Sequence, residues 1–230
     1  MIHIFSNFAN DIIAYENNRI VPGWPALWIS KALDASNIRY KLVTGGESAI
    51  VKIDKDIDGE DRGIILSTPM IPYVFEEESQ LLLISTLKNE FDLSMLSDTL
   101  LPVCIDIQWF LRWCNGEKKR FDSKILQTRW EVYIKATREE FSYIDNHNDT
   151  WFTFIITDGW SDIGVLQKNK TYRIPIQSGD FKDTIGAGDT FFAIFCAKLL
   201  ETNDIEQVVQ QASIFTYWFL RDKNNISLLN

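Results

Sequence analysis

The chain has 230 residues, a formal net charge of −9 and a hydrophobic fraction of 46%. This length suits one domain with a sizeable core, and the acidic balance argues against nucleic-acid or anionic-membrane partners. The sequence contains no apolar run of membrane-spanning length, and its three cysteines have no metal-ligand spacing. The N-terminus lacks a basic region followed by a long apolar run, so we expect no signal peptide. We therefore expect a cytoplasmic protein that folds as a single domain over residues 1–230.

The first half of the chain alternates short apolar runs with helical stretches. A helix is predicted to end near Ala35, and another is predicted over 91–100. The predicted strands lie at 2–5, 39–43, 48–53, 63–67, 81–85 and 102–107. The two strands at 48–53 and 63–67 are expected to form a hairpin.

The second half continues the same alternation. Strands are predicted at 132–135 and 151–157, followed by a hairpin with strands at 164–166 and 170–174. Helices are predicted to open near residue 138, to span 189–200, and to span 205–220. Strands that alternate with helices favour a three-layer α/β fold around a mostly parallel central sheet.

Two polar segments follow predicted strands. Asp11 comes shortly after the first strand, and ligands of open parallel sheets bind at the carboxyl ends of strands. Asp11 could bind substrate hydroxyls, or it could simply lie in a turn, and the sequence leaves both interpretations open. Thr137 with Glu140 three residues later forms a capping box, which is a complete structural explanation by itself.

The stretch 183–191, DTIGAGDTF, concentrates the chemistry of the chain. Gly186 and Gly188 permit a tight turn and leave no Cβ to block a ligand. The unpaired amides of the helix that follows form a site for an anion. Asp189 either caps this helix or acts as a general base beside the anion.

With its seven matching letters at fixed spacing, this stretch resembles the C-terminal signature of the ribokinase-like (PfkB) carbohydrate kinases. The resemblance implies a ribokinase-like fold and ATP-dependent phosphoryl transfer to a hydroxyl of a small sugar, polyol or nucleoside. It implies that Asp189 is the catalytic base and that the backbone of Gly186, Ala187 and Gly188 forms the anion hole.

The same resemblance assigns the remaining site residues. On the substrate side these are Asp11, Gly23, Asp106, Gln108 and Arg112, the last three from a D-x-Q-G-x-x-R element of a branch that includes inositol-type kinases. On the ATP side they are Thr157, Gly159 and Thr184. Glu140 is expected to help hold Mg²⁺ through water, and Asp183 lies in a loop that neighbours a monovalent cation, such as K⁺, in some members. The alternative for Asp106, Gln108 and Arg112 is an ordinary strand end with a surface arginine.

A small β lid over the sugar is a further family feature, which we place at about 44–72. The short stretch between Asp11 and Gly23 leaves no room for lid strands, so the lid is expected to be reduced. Family dimers often pair through the lid, and a homodimer is therefore an expectation.

Several positions depart from the family pattern. Trp24 and Trp28 replace a glycine and an asparagine, and Thr137 replaces another asparagine. We favour a core role for Trp28 and leave Trp24 open. Together with a short C-terminus, these departures support an alternative hypothesis, a non-catalytic ligand-binding or regulatory protein on a kinase scaffold. Dinucleotide binding is disfavoured because Rossmann glycines follow the first strand.

Overall fold

The computed structural model describes residues 1–23, 25–55, 61–111, 119–126, 128, 130–146, 151–159, 161–177, 179, 181 and 183–227. In chain order, the strands are β1 (Ile2–Phe5), β2 (Ala9–Ile13), β3 (Arg19–Gly23), β4 (Tyr40–Val43), β5 (Ala49–Lys55), β6 (Asp61–Ser67), β7 (Leu81–Ile84), β8 (Val103–Asp106), β9 (Phe121–Asp122), β10 (Val132–Thr137), β11 (Ile144–Asp145), β12 (Phe152–Thr157), β13 (Ile163–Gln167) and β14 (Lys170–Ile174). The helices are α1 (Ala26–Ala35), α2 (Gln108–Leu111), α3 (Arg138–Phe141), α4 (Ala187–Leu199) and α5 (Ile205–Ser227).

The main sheet has eight strands in the order β14-β13-β12-β10-β8-β7-β1-β4. The six strands from β12 to β4 are parallel, and β13 and β14 add an antiparallel hairpin at one edge. Strands such as β1 and β7 are buried along their whole length. A parallel strand covered on both faces is expected to be continuously apolar, as these are.

Two hydrophobic cores lie on opposite faces of this sheet. Helices α1, α4 and α5 cover one face, where Ile2 and Ile4 of β1 contact them. The other face packs Phe5 against residues that include Leu96 and Phe110. The prediction of a three-layer α/β fold with a mostly parallel central sheet is confirmed.

A second, four-stranded sheet has the order β3-β2-β5-β6. Strands β5 and β6 form the hairpin that was predicted within 44–72. The expectation that no lid strands fit between Asp11 and Gly23 is wrong, because β2 and β3 form a tight hairpin there and β2 pairs in parallel with β5. The chain turns between them at Asn17 and Asn18, which both adopt positive φ, a conformation that asparagine tolerates.

The predicted helix over 91–100 is also wrong. Only a single 3-10 turn, Leu93–Leu96, forms in this segment. The Asp92 carboxylate accepts hydrogen bonds from the amide and the hydroxyl of Ser94 at 2.9 and 2.7 Å. Such local side-chain bonds offer the backbone an alternative to a continued helix.

Helices α4 and α5 form close to where the sequence predicted them, and α5 extends to Ser227. Among the helices that the structure describes, none is both long and apolar enough to cross a membrane.

Candidate active site

The glycine turn that precedes α4 is shaped by its neighbours. Gly186 adopts a left-handed conformation with φ of 81°. A Cβ at this position would lie 2.3 Å from the ring of Trp28, which belongs to α1. Only glycine satisfies both the dihedral angle and the space. Trp28 therefore packs against the predicted anion-binding turn, a contact that sequence analysis did not anticipate.

The amides of this turn divide into two groups. The Ala187 amide donates to the Thr184 carbonyl at 3.0 Å, and the Thr190 amide donates to the Gly186 carbonyl at 2.9 Å. Among the described residues, no acceptor contacts the amides of Gly186, Gly188 or Asp189. These three groups and the helix dipole form the part of the turn that can bind an anion. Ala187, which was predicted to donate as well, has its amide engaged within the turn.

A buried lysine lies directly beneath this turn. A Cβ added to Gly188 would lie 3.2 Å from Nζ of Lys135, which is only 4% exposed. Sequence analysis assigned Lys135 to a strand without a function. The signal that was available is a lysine within the otherwise apolar run of β10, because a lysine is rarely fully buried unless it is paired.

Lys135 is paired with Asp106. The two residues are register partners on the adjacent parallel strands β10 and β8, and Nζ lies 2.5 Å from Asp106 Oδ2. Burial by itself would lower the pKa of Lys135, but the carboxylates of Asp106, Asp189 and Glu140 together raise it. The ammonium group is therefore a fixed positive charge at the floor of the site.

Asp189 lies in the first turn of α4. Desolvation raises the pKa of its carboxyl group to about 7, the charge of Asp106 adds to the increase, and Lys135 opposes it. A carboxyl group with a pKa near neutral pH can accept a proton efficiently under physiological conditions. This environment supports the predicted role of Asp189 as a general base.

Two of the predicted substrate residues at the end of β8, Asp106 and Gln108, are joined by a hydrogen bond. Oδ1 of Asp106 accepts a hydrogen bond from the Gln108 amide at 3.1 Å, while Oδ2 binds Lys135. Asp106 is 1% exposed, so its direct contribution is to position Lys135 and the start of α2. Arg112 lies outside the described residues.

Asp11 and Gly23 are brought together in the second sheet. Asp11 was expected at the end of the first strand, but it lies within β2, because the chain turns into the small sheet directly after β1. A Cβ on Gly23 would lie 2.1 Å from Asp11 Oδ2, so the glycine makes room for the carboxylate. Trp24, the neighbouring departure from the family pattern, lies outside the described residues.

Glu140 forms the predicted capping box. Its Oε2 accepts from the Thr137 amide at 2.7 Å, and its own amide donates to Thr137 Oγ1 at 3.2 Å. The structural explanation given by the sequence is therefore confirmed. Glu140 is also buried close enough to Lys135 to raise the pKa of the lysine.

A cavity of about 500 Å³ opens beside the turn. It brings together all three residues that were predicted on the ATP side, Thr157, Gly159 and Thr184. Ile163, Phe181 and Phe191 add an apolar lining, and Ala187 and Gly188 connect the cavity to the anion-binding turn. An apolar cleft with a few polar groups is typical of a small-molecule site.

Asp183, predicted in the cation loop, bridges two elements. Its Oδ1 accepts from the Ile185 amide at 3.0 Å, and its Oδ2 lies 2.8 Å from Nζ of Lys223 on α5. Sequence analysis gave Lys223 no role.

Comparison with known proteins gives a family match over the second half of the chain. Residues 139–224 match the family model of the pfkB family carbohydrate kinases. A search among curated proteins found no match. The family match covers Glu140, the cavity residues and the whole glycine turn.

Three solved structures share the fold over almost the whole chain. A pyrophosphate-dependent kinase of the ribokinase family, complexed with a pyrophosphate analogue and myo-inositol, is 16% identical with a TM-score of 0.66, over 94% of each chain. The nucleoside kinase of Burkholderia thailandensis, in complex with inosine, is 15% identical with a TM-score of 0.68, over 94% of this chain and 88% of its own. A sugar kinase of Pyrococcus horikoshii, in complex with ATP, is 15% identical with a TM-score of 0.67, over 94% of this chain and 91% of its own.

At these identities the structural likeness establishes the ribokinase-like fold, and the family model covers the part of the chain that carries the glycine turn. Residues 139–224 are similar to the pfkB family of carbohydrate kinases, and the chain as a whole has the ribokinase-like fold.

Proposed function

We propose that the protein transfers a phosphoryl group from ATP to a hydroxyl group of a small sugar, polyol or nucleoside. The observation that carries this proposal is the environment of Asp189. Its carboxyl group has a pKa of about 7 and lies at the amino end of α4, beside the open amides of the turn and near Lys135.

The reaction follows from these positions. Asp189 accepts the proton of the acceptor hydroxyl while the hydroxyl oxygen forms a bond to the γ-phosphorus of ATP. The bond from this phosphorus to the bridging oxygen breaks, and ADP leaves with the electron pair. The amides of Gly186 and Gly188 and the ammonium group of Lys135 stabilise the negative charge on the transferring group. Phosphoryl transfer depends mainly on such positioning and charge stabilisation.

The cavity beside the turn supports ATP as the donor. Its volume of about 500 Å³ and its apolar lining by Phe181 and Phe191 suit the base and ribose of a nucleotide. A pyrophosphate donor, as used by one of the similar structures, would leave this apolar space without a ligand group. The position of the cavity next to Gly188 would direct the phosphates of a bound nucleotide towards Asp189.

The residues of the site also suit Mg²⁺ bound mainly through phosphates and water. Among the described residues, no group of three or more His, Cys, Asp or Glu side chains is arranged to hold a metal ion. Mg²⁺ usually retains several waters and takes only one or two carboxylates in addition to substrate phosphates. Glu140, with Oε2 engaged in the capping box, would reach the ion through Oε1 and a water molecule. Bound there, the ion would supply positive charge that offsets the charge of the phosphates.

The acceptor would bind under the second sheet. We propose that the carboxylate of Asp11, for which Gly23 leaves space, accepts hydrogen bonds from the hydroxyl groups of the sugar, polyol or nucleoside. We also propose that the second sheet acts as the lid. Carboxylates are strong acceptors for hydroxyl donors. This arrangement is compatible with sugars, polyols and nucleosides alike.

A homodimer through the same sheet is part of the proposal. Ile20 on one edge strand of the second sheet and Ile64 and Leu66 on the other are 64%, 44% and 57% exposed, and a partner subunit on this sheet would bury these apolar side chains. The described cysteines, Cys104 and Cys196, are buried and not disulfide-bonded, which agrees with a reducing, cytoplasmic location.

The test is ADP release from Mg-ATP with a panel of pentoses, hexoses, inositols and nucleosides. One acceptor class should give turnover, and Asp189→Asn should lower this turnover about 100-fold or more. Asp222 is an exposed carboxylate on α5, so Asp222→Asn should leave the turnover unchanged. The rate should increase with pH up to about 7, the pKa of the base, and then level off. Turnover that Asp189→Asn leaves intact would refute the mechanism. ATP binding without transfer to any acceptor would favour the non-catalytic alternative.

A further inference from the structure

Lys223 lies at the point where α5 crosses the loop before the glycine turn. Its side chain is 19% exposed. Nζ lies 2.8 Å from Asp183 Oδ2, donates to the Ile185 carbonyl at 2.9 Å, and lies 4.2 Å from the ring centroid of Trp28. One ammonium group thus contacts a carboxylate, a carbonyl oxygen and an aromatic face. Each of these is a favourable partner for a cation.

The contact with the Ile185 carbonyl fixes the peptide group that leads into Gly186. A trans peptide is planar, and its C=O and N–H point in opposite directions. Because Lys223 holds the carbonyl on one side, the Gly186 amide is held on the opposite side, away from Lys223. This amide is one of the three that remain available for an anion.

The other partners of Lys223 shape the same turn. Asp183 uses its second oxygen, Oδ1, to accept from the Ile185 amide at 3.0 Å. Trp28 occupies the space that a Cβ of residue 186 would need. Lys223 therefore connects the two groups that confine Gly186, although it lies far away in sequence and on a different helix.

The oxygens that Lys223 binds are also those that a monovalent cation would need. A cation at this loop would be held by carboxylate and carbonyl oxygens, and the ammonium group already occupies the Asp183 Oδ2 and Ile185 oxygen positions. A lysine ammonium group is a compact point charge with three donors, so it can satisfy such oxygens directly. The residues present therefore do not suit a bound K⁺.

We propose that Lys223 is a positioning residue for the anion-binding turn, and that its ammonium group takes the place of a bound monovalent cation. The inference rests on the proposed function insofar as the anion is the phosphate chain of ATP. It predicts that the protein needs no K⁺, whereas a variant without the ammonium group acquires a response to K⁺.

The experiment compares Lys223→Ala with the wild type in KCl and in choline chloride at equal ionic strength. Lys31→Ala is the matched control, because Lys31 also lies over the Trp28 ring, at 4.7 Å, but from α1. The first readout is the Kd of Mg-ATP by calorimetry without an acceptor. The second is the melting temperature without nucleotide, which reports cation binding to the folded state directly.

The wild type and Lys31→Ala should bind ATP equally in both salts, within about two-fold, and melt at the same temperature in both. Lys223→Ala in choline chloride should bind ATP on the order of 10-fold more weakly, the loss expected for a charged hydrogen bond. KCl should recover part of this affinity and raise the melting temperature of this variant alone.

A wild type that requires K⁺ for ATP binding would overturn the proposal. So would a Lys223→Ala variant that binds ATP as the wild type does, or one whose weaker binding and lower melting temperature do not respond to KCl. Failure of the proposed kinase activity has a different signature, since it would appear as absent turnover while the salt-dependent melting of Lys223→Ala persists.

Discussion

Replacing Asp189 by Asn should stabilise the protein at neutral and alkaline pH. Asn has nearly the shape of the protonated carboxyl group but cannot ionise. In the folded protein, desolvation and the charge of Asp106 raise the pKa of Asp189 to about 7, from the 3.8 of an ordinary aspartate. The folded state therefore binds this proton more tightly than the unfolded state does.

The sign and size of the effect follow from proton linkage. Below about pH 4 both states carry the proton, and Asp189 has little influence on the free energy of unfolding. As the pH rises towards 7, the unfolded state ionises freely while the folded state resists, so the wild type loses stability. A pKa difference of about 3 pH units corresponds to about 4 kcal/mol, of which about 3 kcal/mol develops between pH 5 and pH 8. Because Asp189 retains some solvent exposure, we expect about 2–3 kcal/mol over that interval.

Urea unfolding at a series of pH values from about 5 to about 8 measures this difference directly. The free energy of unfolding of Asp189→Asn should exceed that of the wild type by an amount that grows with pH, whereas Asp222→Asn should follow the wild type. Parallel curves for Asp189→Asn and the wild type would show that the carboxyl group has an ordinary pKa. That result would also remove the physical reason for assigning it as a base poised near neutral pH.

Two further predictions concern the floor and the acceptor side of the site. Lys135→Met should lower the free energy of unfolding by about 3–5 kcal/mol at neutral pH, because it leaves the Asp106 carboxylate buried without its partner; denaturant unfolding measures this, and adding Asp106→Leu should recover part of the loss. Gly23→Ala should displace the Asp11 carboxylate and raise KM for the acceptor about 10-fold or more, with an unchanged Kd for ATP, since a hydrogen bond to a charged group is worth about 1.5–3 kcal/mol.

Each of these has a matched control in the chain. Lys198→Met removes an ion pair with Glu201 that is partly exposed, and it should cost less than about 1 kcal/mol. Gly63→Ala adds a Cβ in the same small sheet, at an ordinary 3.4 Å from Val51, and it should leave KM unchanged. Equal effects of Lys135→Met and Lys198→Met would argue against a buried charge pair, and a Gly23→Ala variant with normal KM would argue against Asp11 as an acceptor ligand.

The sequence by itself determined the parts of the protein that depend on local geometry. The stretch 183–191 could be recognised because the glycine turn and the helix that follows it are formed by consecutive residues. The continuous apolar runs of β1, β7 and β8 predicted buried parallel strands, since each run is also formed by consecutive residues. The capping box of Thr137 and Glu140 was also predictable, since its two partners are three residues apart.

Two predictions from local sequence patterns were wrong, and in both cases polar side chains determined the structure that formed. The β2–β3 hairpin was missed because its strands carry polar residues such as Asn10 and Asp11 and are joined through two asparagines at positive φ. The helix over 91–100 was predicted because its apolar spacing is helical, yet Asp92 binds Ser94 and stops the helix after one turn. Both errors arise from side-chain chemistry that periodicity does not register.

Only the tertiary structure decided which charges meet. Lys135 and Asp106 are 29 residues apart in sequence, and it is the register of two neighbouring parallel strands that pairs them. Lys223 is 38 residues away from Ile185, and the packing of α5 delivers its ammonium group to the turn. The raised pKa of Asp189 arises from burial and from the charge of Asp106, which together exceed the opposing effect of Lys135. Electrostatic interactions depend on distance in space and on exclusion of water, and neither can be read from the order of residues in the chain.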